Sequence, residues 1–335
     1  SKDINPDILK HVAANYFEYK KSNTLVDYSD MIHQFVNKSH LCPTFDVVFI
    51  DEAQDLSPIQ WMMYDILKAN TKDMYLAGDD DQAIYAWAGA DVDRFIKEPA
   101  TEVVLKKSRR VPRKVQDISN IIVNRIEGLR ADKTYHPREE DGLCEKINNL
   151  DNVDLMKDNW LILTRTRSKS VQIAKELKQR GIFFESKFFK SLNTKLHKAA
   201  VYYSRWSEGQ ELNQKEVDDV EDYMSDNNWN ELVPWFEAFD KANLEDKNYI
   251  RLLLSNKEKL TETPRVKIST IHAAKGGESD NVLLVLDNAR KIRESVLKNV
   301  RKRDEEHRVW YVGVTRSRKN LYLMRAKIER YGYNL

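Results

Sequence analysis

Val47-Val48-Phe49-Ile50-Asp51-Glu52-Ala53-Gln54-Asp55 is the stretch on which the fold turns. Its four apolar residues read as a strand buried on both faces, the pattern of a parallel sheet covered by helices. Two carboxylates follow at once and leave the strand at its carboxyl end, the edge of an open α/β sheet where ligands bind. An aspartate there can hold Mg²⁺ beside nucleotide phosphates, and a neighbouring glutamate can take a proton from an attacking water. A strand that merely ends in solvated acidic residues has the same local pattern. The decision rests on the rest of the chain.

Upstream, Ile8, Leu9, Val12, Ala13 and Phe17 are spaced for one face of a helix within residues 6–40. Downstream, Ser57-Pro58-Ile59-Gln60 has the residues of a helix start: an N-cap hydroxyl, proline in the first turn and a capping-box glutamine. Met74-Tyr75-Leu76-Ala77 reads as a second buried strand, with Gly78-Asp79-Asp80-Asp81-Gln82 leaving its carboxyl end. A new unit begins near residue 100 with Val103-Val104-Leu105. Trp160–Thr164 is a strand, Ser170–Arg180 a helix closed by Gly181, and Ile182-Phe183-Phe184 a strand start. This is a βαβ unit with a parallel pair. Val266–Thr270, Val282–Leu286 and Leu321–Met324 are further strands, with a helix around 305–316. Residues 187–263 lack strand patterns and read as a helical insertion whose core is Trp206, Trp229, Trp235, Phe236 and Phe239.

The 335 residues suffice for two or three domains, and 41% hydrophobic with 32% charged residues describes a water-exposed globular surface. No stretch approaches 18 consecutive apolar residues, which argues against a membrane partner. The segment Ser1–Pro6 lacks the apolar run of a leader, and Cys42 and Cys144 form no metal-ligand pattern, so free thiols in a reducing cytoplasm are expected. A net charge of +2 decides nothing. Clusters at Lys106–Lys114 and Arg290–Arg308 are either solvated faces or phosphate sites.

Five segments carry the chemistry. They are Asp51-Glu52-Ala53-Gln54-Asp55, Ala77 to Ala90, Leu105 to Arg110, Ser269 to Glu278, and Arg308 to Arg316. In this order they resemble the D-E-x-Q-D, G-D-x-D-Q-S-I-Y-x-W-R-G-A, L-x-x-N-Y-R, T-x-H-x-A-K-G-L-E and R-L-x-Y-V-A-x-T-R motifs of the UvrD/Rep family of superfamily 1 DNA helicases. The resemblance covers about residues 25–185 and 264–325. It implies an α/β fold of two RecA-like parallel-sheet domains, the first (1–100) incomplete and the second made of 101–186 and 264–335. Residues 187–263 would be a 2B-like insertion in that second domain.

The resemblance further implies ATP bound between the domains, with Asp51 on Mg²⁺ and Glu52 as base. Gln82 would sense the γ-phosphate or the attacking water, Arg110 and Arg316 would act as arginine fingers, and Glu278 would reach the nucleotide sugar. Arginine suits such a role because its planar guanidinium matches phosphate geometry. Tyr85, Trp87, Thr270 and His272 match positions that meet single-stranded DNA, where a flat ring stacks on any base. Trp87 as a core residue is the alternative. Duplex junctions are the implied further substrate, and 3′→5′ the implied polarity. Ala88 stands where the motif has arginine, Gly277 where it has leucine, and Ser108-Arg109 where it has Asn-Tyr, which leaves Arg109 or Arg110 as the finger.

None of the ten glycines is followed by lysine, so these residues contain no G-x-x-x-x-G-K-S/T loop to cradle phosphates. The family pattern places that loop well over a hundred residues before D-E-x-Q-D, and 50 residues precede Asp51 here. The expectation is a helicase fragment, or a first domain completed by another chain, inactive as an ATPase alone. A non-hydrolysing DNA- or protein-binding module is the competing expectation.

Overall fold

In the computed structural model, residues 5–226 and 229–335 are described. They divide into two units, Ser1–Ala100 and Thr101–Leu335, and each has its own parallel sheet.

The first unit begins with helices α1 (Pro6–Ser22) and α2 (Tyr28–Asn37), joined by the Lys20 ammonium at 2.8 Å from Asp27 and 2.7 Å from Asp30. Strand β1 (Phe45–Ile50) runs through helix α3 (Pro58–Ala69) to strand β2 (Thr71–Leu76), and helix α4 (Val92–Lys97) follows. The two strands pair in parallel, with Val48 opposite Met74 and Ile50 opposite Leu76. Helix α3 starts where the sequence places it: Pro58 is in its first turn, and the Ser57 backbone N–H and hydroxyl donate to Gln60 Oε1 at 2.9 and 2.8 Å. Its Trp61 and Tyr64 are buried, and with Ala53, Ala83 and Ile84 they form the unit's core.

Neither strand is buried on both faces, contrary to the sequence reading. Val48, Ile50, Met74 and Leu76 are half-buried on one face, whereas Phe49 is 75% and Tyr75 53% exposed on the other. Their rings stack on each other at 4.9 Å. The physical reason is that each strand has one neighbour and helix cover reaches one face only. The apolar face of α1 is likewise exposed at Ile8, Leu9, Val12 and Phe17.

The second unit begins at Thr101, next to the start expected near residue 100, and Val103 and Leu105 lie exposed in a stretch without helix or strand. Helix α5 (Arg113–Val123) leads to strand β3 (Leu143–Ile147), which sequence reading passed over because Leu143 and Ile147 frame polar residues. Then come β4 (Trp160–Thr164), α6 (Arg167–Gln179) and β5 (Phe184–Ser186). Helix α6 starts earlier than expected because Thr166 caps it by accepting the Lys169 N–H, and it closes at Gly181 with φ +63°. Helices α7 (Thr194–Ser207), α8 (Gln214–Glu221), α9 (Trp235–Ala238) and α10 (Leu244–Ser255) fill the next stretch. The chain returns as β6 (Val266–Thr270), β7 (Ser279–Val285), α11 (Arg290–Lys298), α12 (Val300–Val314) and β8 (Ser317–Met324).

The six strands are parallel in the order β3-β8-β7-β4-β6-β5. Strand β4 is buried at all five residues. It does not pair with β5, as the βαβ reading implied, because β6 lies between them. The helices of 187–263 share one core with the sheet: Tyr203, Trp235, Phe239 and Ile250 join Ile162, Phe184 and Val266, with Trp206, Trp229 and Phe236 packed partly buried against it. Among the described residues no helix is long and apolar enough to cross a membrane.

Candidate functional site

The loops that leave β1 and β2 are locked together by backbone and amide bonds. Ala77 N–H donates to Ile50 O at 2.8 Å, and Ala53 N–H to Ala77 O at 3.0 Å. The buried Gln54 side chain then links the two motifs: its Nε2 donates to Glu52 Oε2 at 2.5 Å, and its Oε1 accepts the Asp79 N–H at 3.0 Å. Asp79 Oδ2 in turn accepts from Gln82 Nε2 at 2.8 Å. Glu52, Gln54, Asp79 and Gln82 therefore form one continuous hydrogen-bonded chain. Gly78 permits this closeness, since a Cβ there would meet Gln54 Oε1 at 2.6 Å and the Phe95 ring at 2.7 Å. Glu52 itself adopts φ +53°, ψ +37°, a left-handed conformation that costs a non-glycine residue about 1–2 kcal/mol.

Asp51 is exposed at the strand end, and its Oδ1 accepts the Glu52 N–H at 2.8 Å. Among the described residues no group of three or more His, Cys, Asp or Glu side chains is placed to hold a metal. A single exposed carboxylate fits Mg²⁺, which commonly takes one or two carboxylates and completes its octahedron with waters and substrate phosphates.

Tyr85 lies beside this chain: its phenol is pushed up by burial and by the charges of Asp55 and Glu52. Two residues on, Trp87 stands on a one-turn 3₁₀ helix that Gly89 ends with φ +94°. The indole is 70% exposed, so it is not a core residue, and it faces Tyr85 edge-on at 6.3 Å.

In the second unit, three of the residues singled out from sequence come together at the amino ends of β7 and β8. Glu278 directly precedes β7, and Arg316 directly precedes β8. Arg110 Nε reaches Glu278 Oε2 at 2.7 Å, and Arg318 reaches Oε1 of the same carboxylate at 3.1 Å. Arg316 is buried, donating to Val312 O at 3.0 Å and Gly277 O at 3.4 Å. Arg109, the alternative to Arg110, is exposed.

Thr270 and His272 lie at the opposite, carboxyl edge, where Thr270 ends β6 and its hydroxyl accepts the Ala273 N–H at 3.3 Å. Burial pushes the His272 imidazole down to about 4, with the Arg165 guanidinium acting in the same direction and the Glu306 carboxylate opposing. Sequence reading missed this last pair. Arg165 follows β4 and holds Glu306 on α12 with bonds of 2.8 and 3.0 Å. Glu306 also accepts from Trp310 Nε1 at 2.7 Å and Asn288 Nδ2 at 3.0 Å. The usable signal was Asp304-Glu305-Glu306 ahead of the Arg308–Arg316 motif. Asp304 is also buried and accepts the N–H groups of Glu127 and Gly128 at 3.1 and 2.9 Å.

Two α/β units with parallel sheets of two and six strands, presenting carboxylates, amides and arginines at their strand ends, are consistent with RecA-like domains. Comparison with known proteins makes this specific. Residues 2–101 match the UvrD/REP helicase N-terminal domain, and residues 187–327 match the UvrD-like helicase C-terminal domain. The chain belongs to the UvrD/REP helicase family. It is 29% identical over 124 residues to DNA helicase II of Escherichia coli, covering 33% of this chain and 17% of that protein. It is 26% identical over 163 residues to a probable DNA helicase II homolog of Mycoplasma capricolum, covering 42% and 22%. It is 23% identical over 134 residues to the ATP-dependent DNA helicase PcrA of Staphylococcus aureus, covering 36% and 18%. The chain thus spans about a fifth of the length of the relatives it matches.

Proposed function

We propose that this chain carries the DNA track and most of the hydrolytic side chains of an ATP- and Mg²⁺-dependent, 3′→5′ single-strand DNA translocase that also opens duplex junctions. The observation that supports this most is the hydrogen-bonded chain from Glu52 through Gln54 and Asp79 to Gln82, with Tyr85 against it and Trp87 exposed beyond. In such a chain, a shift of the carboxylate or amide that meets the γ-phosphate moves the turn that holds the stacking ring.

Glu52 acts as the general base on the attacking water, and Gln82 orients that water. Asp51 holds Mg²⁺, which neutralises charge on the phosphates when bound. The second unit supplies the guanidinium groups of Arg110 and Arg316, and Glu278 exchanges its arginine partners for the nucleotide sugar. Trp87 and Tyr85 stack on bases, while Thr270 and the neutral His272 donate hydrogen bonds along the strand.

The absence of a G-x-x-x-x-G-K-S/T loop from these residues supports the second reading for the chain by itself: it binds single strands and turns over ATP poorly. Steady-state ATP hydrolysis with saturating oligo-dT tests this. The expected rate lies far below the roughly 1–100 s⁻¹ of phosphoryl-transfer enzymes, rising when a phosphate-loop segment is joined upstream and falling again with Glu52→Gln. A rate within that range for the unjoined chain would overturn the assignment of phosphate binding to an external loop.

A further inference from the structure

Residues 325–335 strap the carboxyl edge of the second sheet. Asn288 N–H donates to Tyr331 O at 3.1 Å, Tyr333 N–H donates to Leu286 O at 2.8 Å, and Asp287 bridges Gly332 in antiparallel fashion. The Tyr333 ring stacks on Trp310 at 4.7 Å, with its hydroxyl 2.7 Å from His307 Nδ1. The strap walls a cavity of about 630 Å³ at the ends of β3, β8 and β7.

Four cations line this cavity, Lys146, Arg293, Arg325 and Lys327, against the single side-chain carboxylate of Glu329. Among these side chains positive charges exceed negative ones by three. Among the described residues no ion pair joins any of the four to a carboxylate. The other end of β8 is built differently: Arg318 is 3.1 Å from Glu278, and Lys319 is paired with Asp280 at 2.5 Å. A concave surface of one sign concentrates the field and draws anions.

Its position identifies the anion. Going across the sheet in the order β6, β4, β7, β8, β3, the carboxyl ends carry Thr270 with His272, then Arg165, Asn288, Arg325 and Lys146. At about 4.8 Å per strand, β6 and β3 are roughly 19 Å apart. We propose that the cavity is a second phosphate subsite for the same DNA single strand, taking backbone phosphates of the stretch that has passed over Thr270 and His272. This rests on the single-strand reading above and extends the track to the far edge of the sheet.

The test compares oligo-dT affinity of the wild-type chain and Arg325→Ala/Lys327→Ala between 50 and 200 mM salt. Both side chains are exposed, so thermal unfolding should be unchanged. Loss of two phosphate contacts flattens the slope of log affinity against log salt by about 1.4 on single strands. The affinity gap should therefore shrink about sevenfold over that range. Lys157→Ala/Lys259→Ala removes the same charge from sites already paired with Asp154 and Glu262, and should leave the slope alone. Equal slopes for the cavity variant and wild type would overturn the subsite. If Trp87→Ala weakens binding while the cavity variant does not, the subsite falls and the single-strand reading stands. If the wild-type chain binds no oligo-dT, both fall.

Discussion

Glu52 and Gly78 show how a few backbone positions set the geometry of the first motif pair. Glu52 is held in the left-handed region by the turn that brings its carboxylate to Gln54, and Gly78 leaves room for that same amide. Gly78→Ala should cost roughly 1–3 kcal/mol by overpacking, read as an earlier urea transition of the first unit. An unchanged midpoint would mean that Gln54 is not fixed. In the second unit, Glu306→Gln would leave the half-buried Arg165 without its counter-charge, a loss of at most roughly 3–5 kcal/mol. Arg165→Met/Glu306→Gln should be less destabilised than Glu306→Gln alone, because the orphaned charge is gone while Trp310 and Asn288 keep an acceptor. His272, held near 4 against an unfolded value of about 6.5, contributes stability that is full above pH 6.5 and lost as the pH falls towards 4. His272→Gln should flatten the stability–pH curve in that window by on the order of 2–3 kcal/mol; an unaltered curve would place the imidazole in water.

Elements were legible where pattern and environment agree. Strands β4 and β6 fall on the residues expected: β4, an apolar run inside the six-stranded sheet, has both faces covered, and β6 buries Val266, Ile268 and Ser269 while Lys267 stays exposed. The apolar runs of β1 and β2 also became strands, yet in a two-stranded sheet the same pattern leaves Phe49 and Tyr75 exposed. Sequence pattern reports what a strand can bury; the number of neighbours decides what it does bury. Phe49→Ser should therefore shift stability by no more than about 0.5 kcal/mol, whereas Leu163→Ala in β4 should cost roughly 2–5 kcal/mol, both by urea titration. Strand β3 escaped detection because its polar middle gives no run, and the order β4-β6-β5 because a crossover pattern cannot say which later strand enters the gap. The buried Asp304 and Glu306 were hidden for a related reason: a charged run reads as solvent-facing until the groups that pair with it, Arg165 and the 127–128 backbone, are in place.

At the scale of the molecule, motifs from distant parts of the sequence settle at strand ends in each unit, and the second sheet uses both of its edges. Glu278, Arg316 and Arg110 occupy one, and Thr270, His272 and the basic cavity the other. Charge sums say little here, since +2 overall conceals a cavity where cations prevail. The central claim is that this chain holds a single DNA strand by stacking on Trp87. Equilibrium titration of oligo-dT against wild type and Trp87→Ala, repeated at several salt concentrations, tests it most directly. Loss of one stacked base should weaken binding by about 1–3 kcal/mol, roughly 5- to 150-fold, with the salt slope unchanged because no counterion contact is lost. Equal affinities for the two proteins would contradict the account.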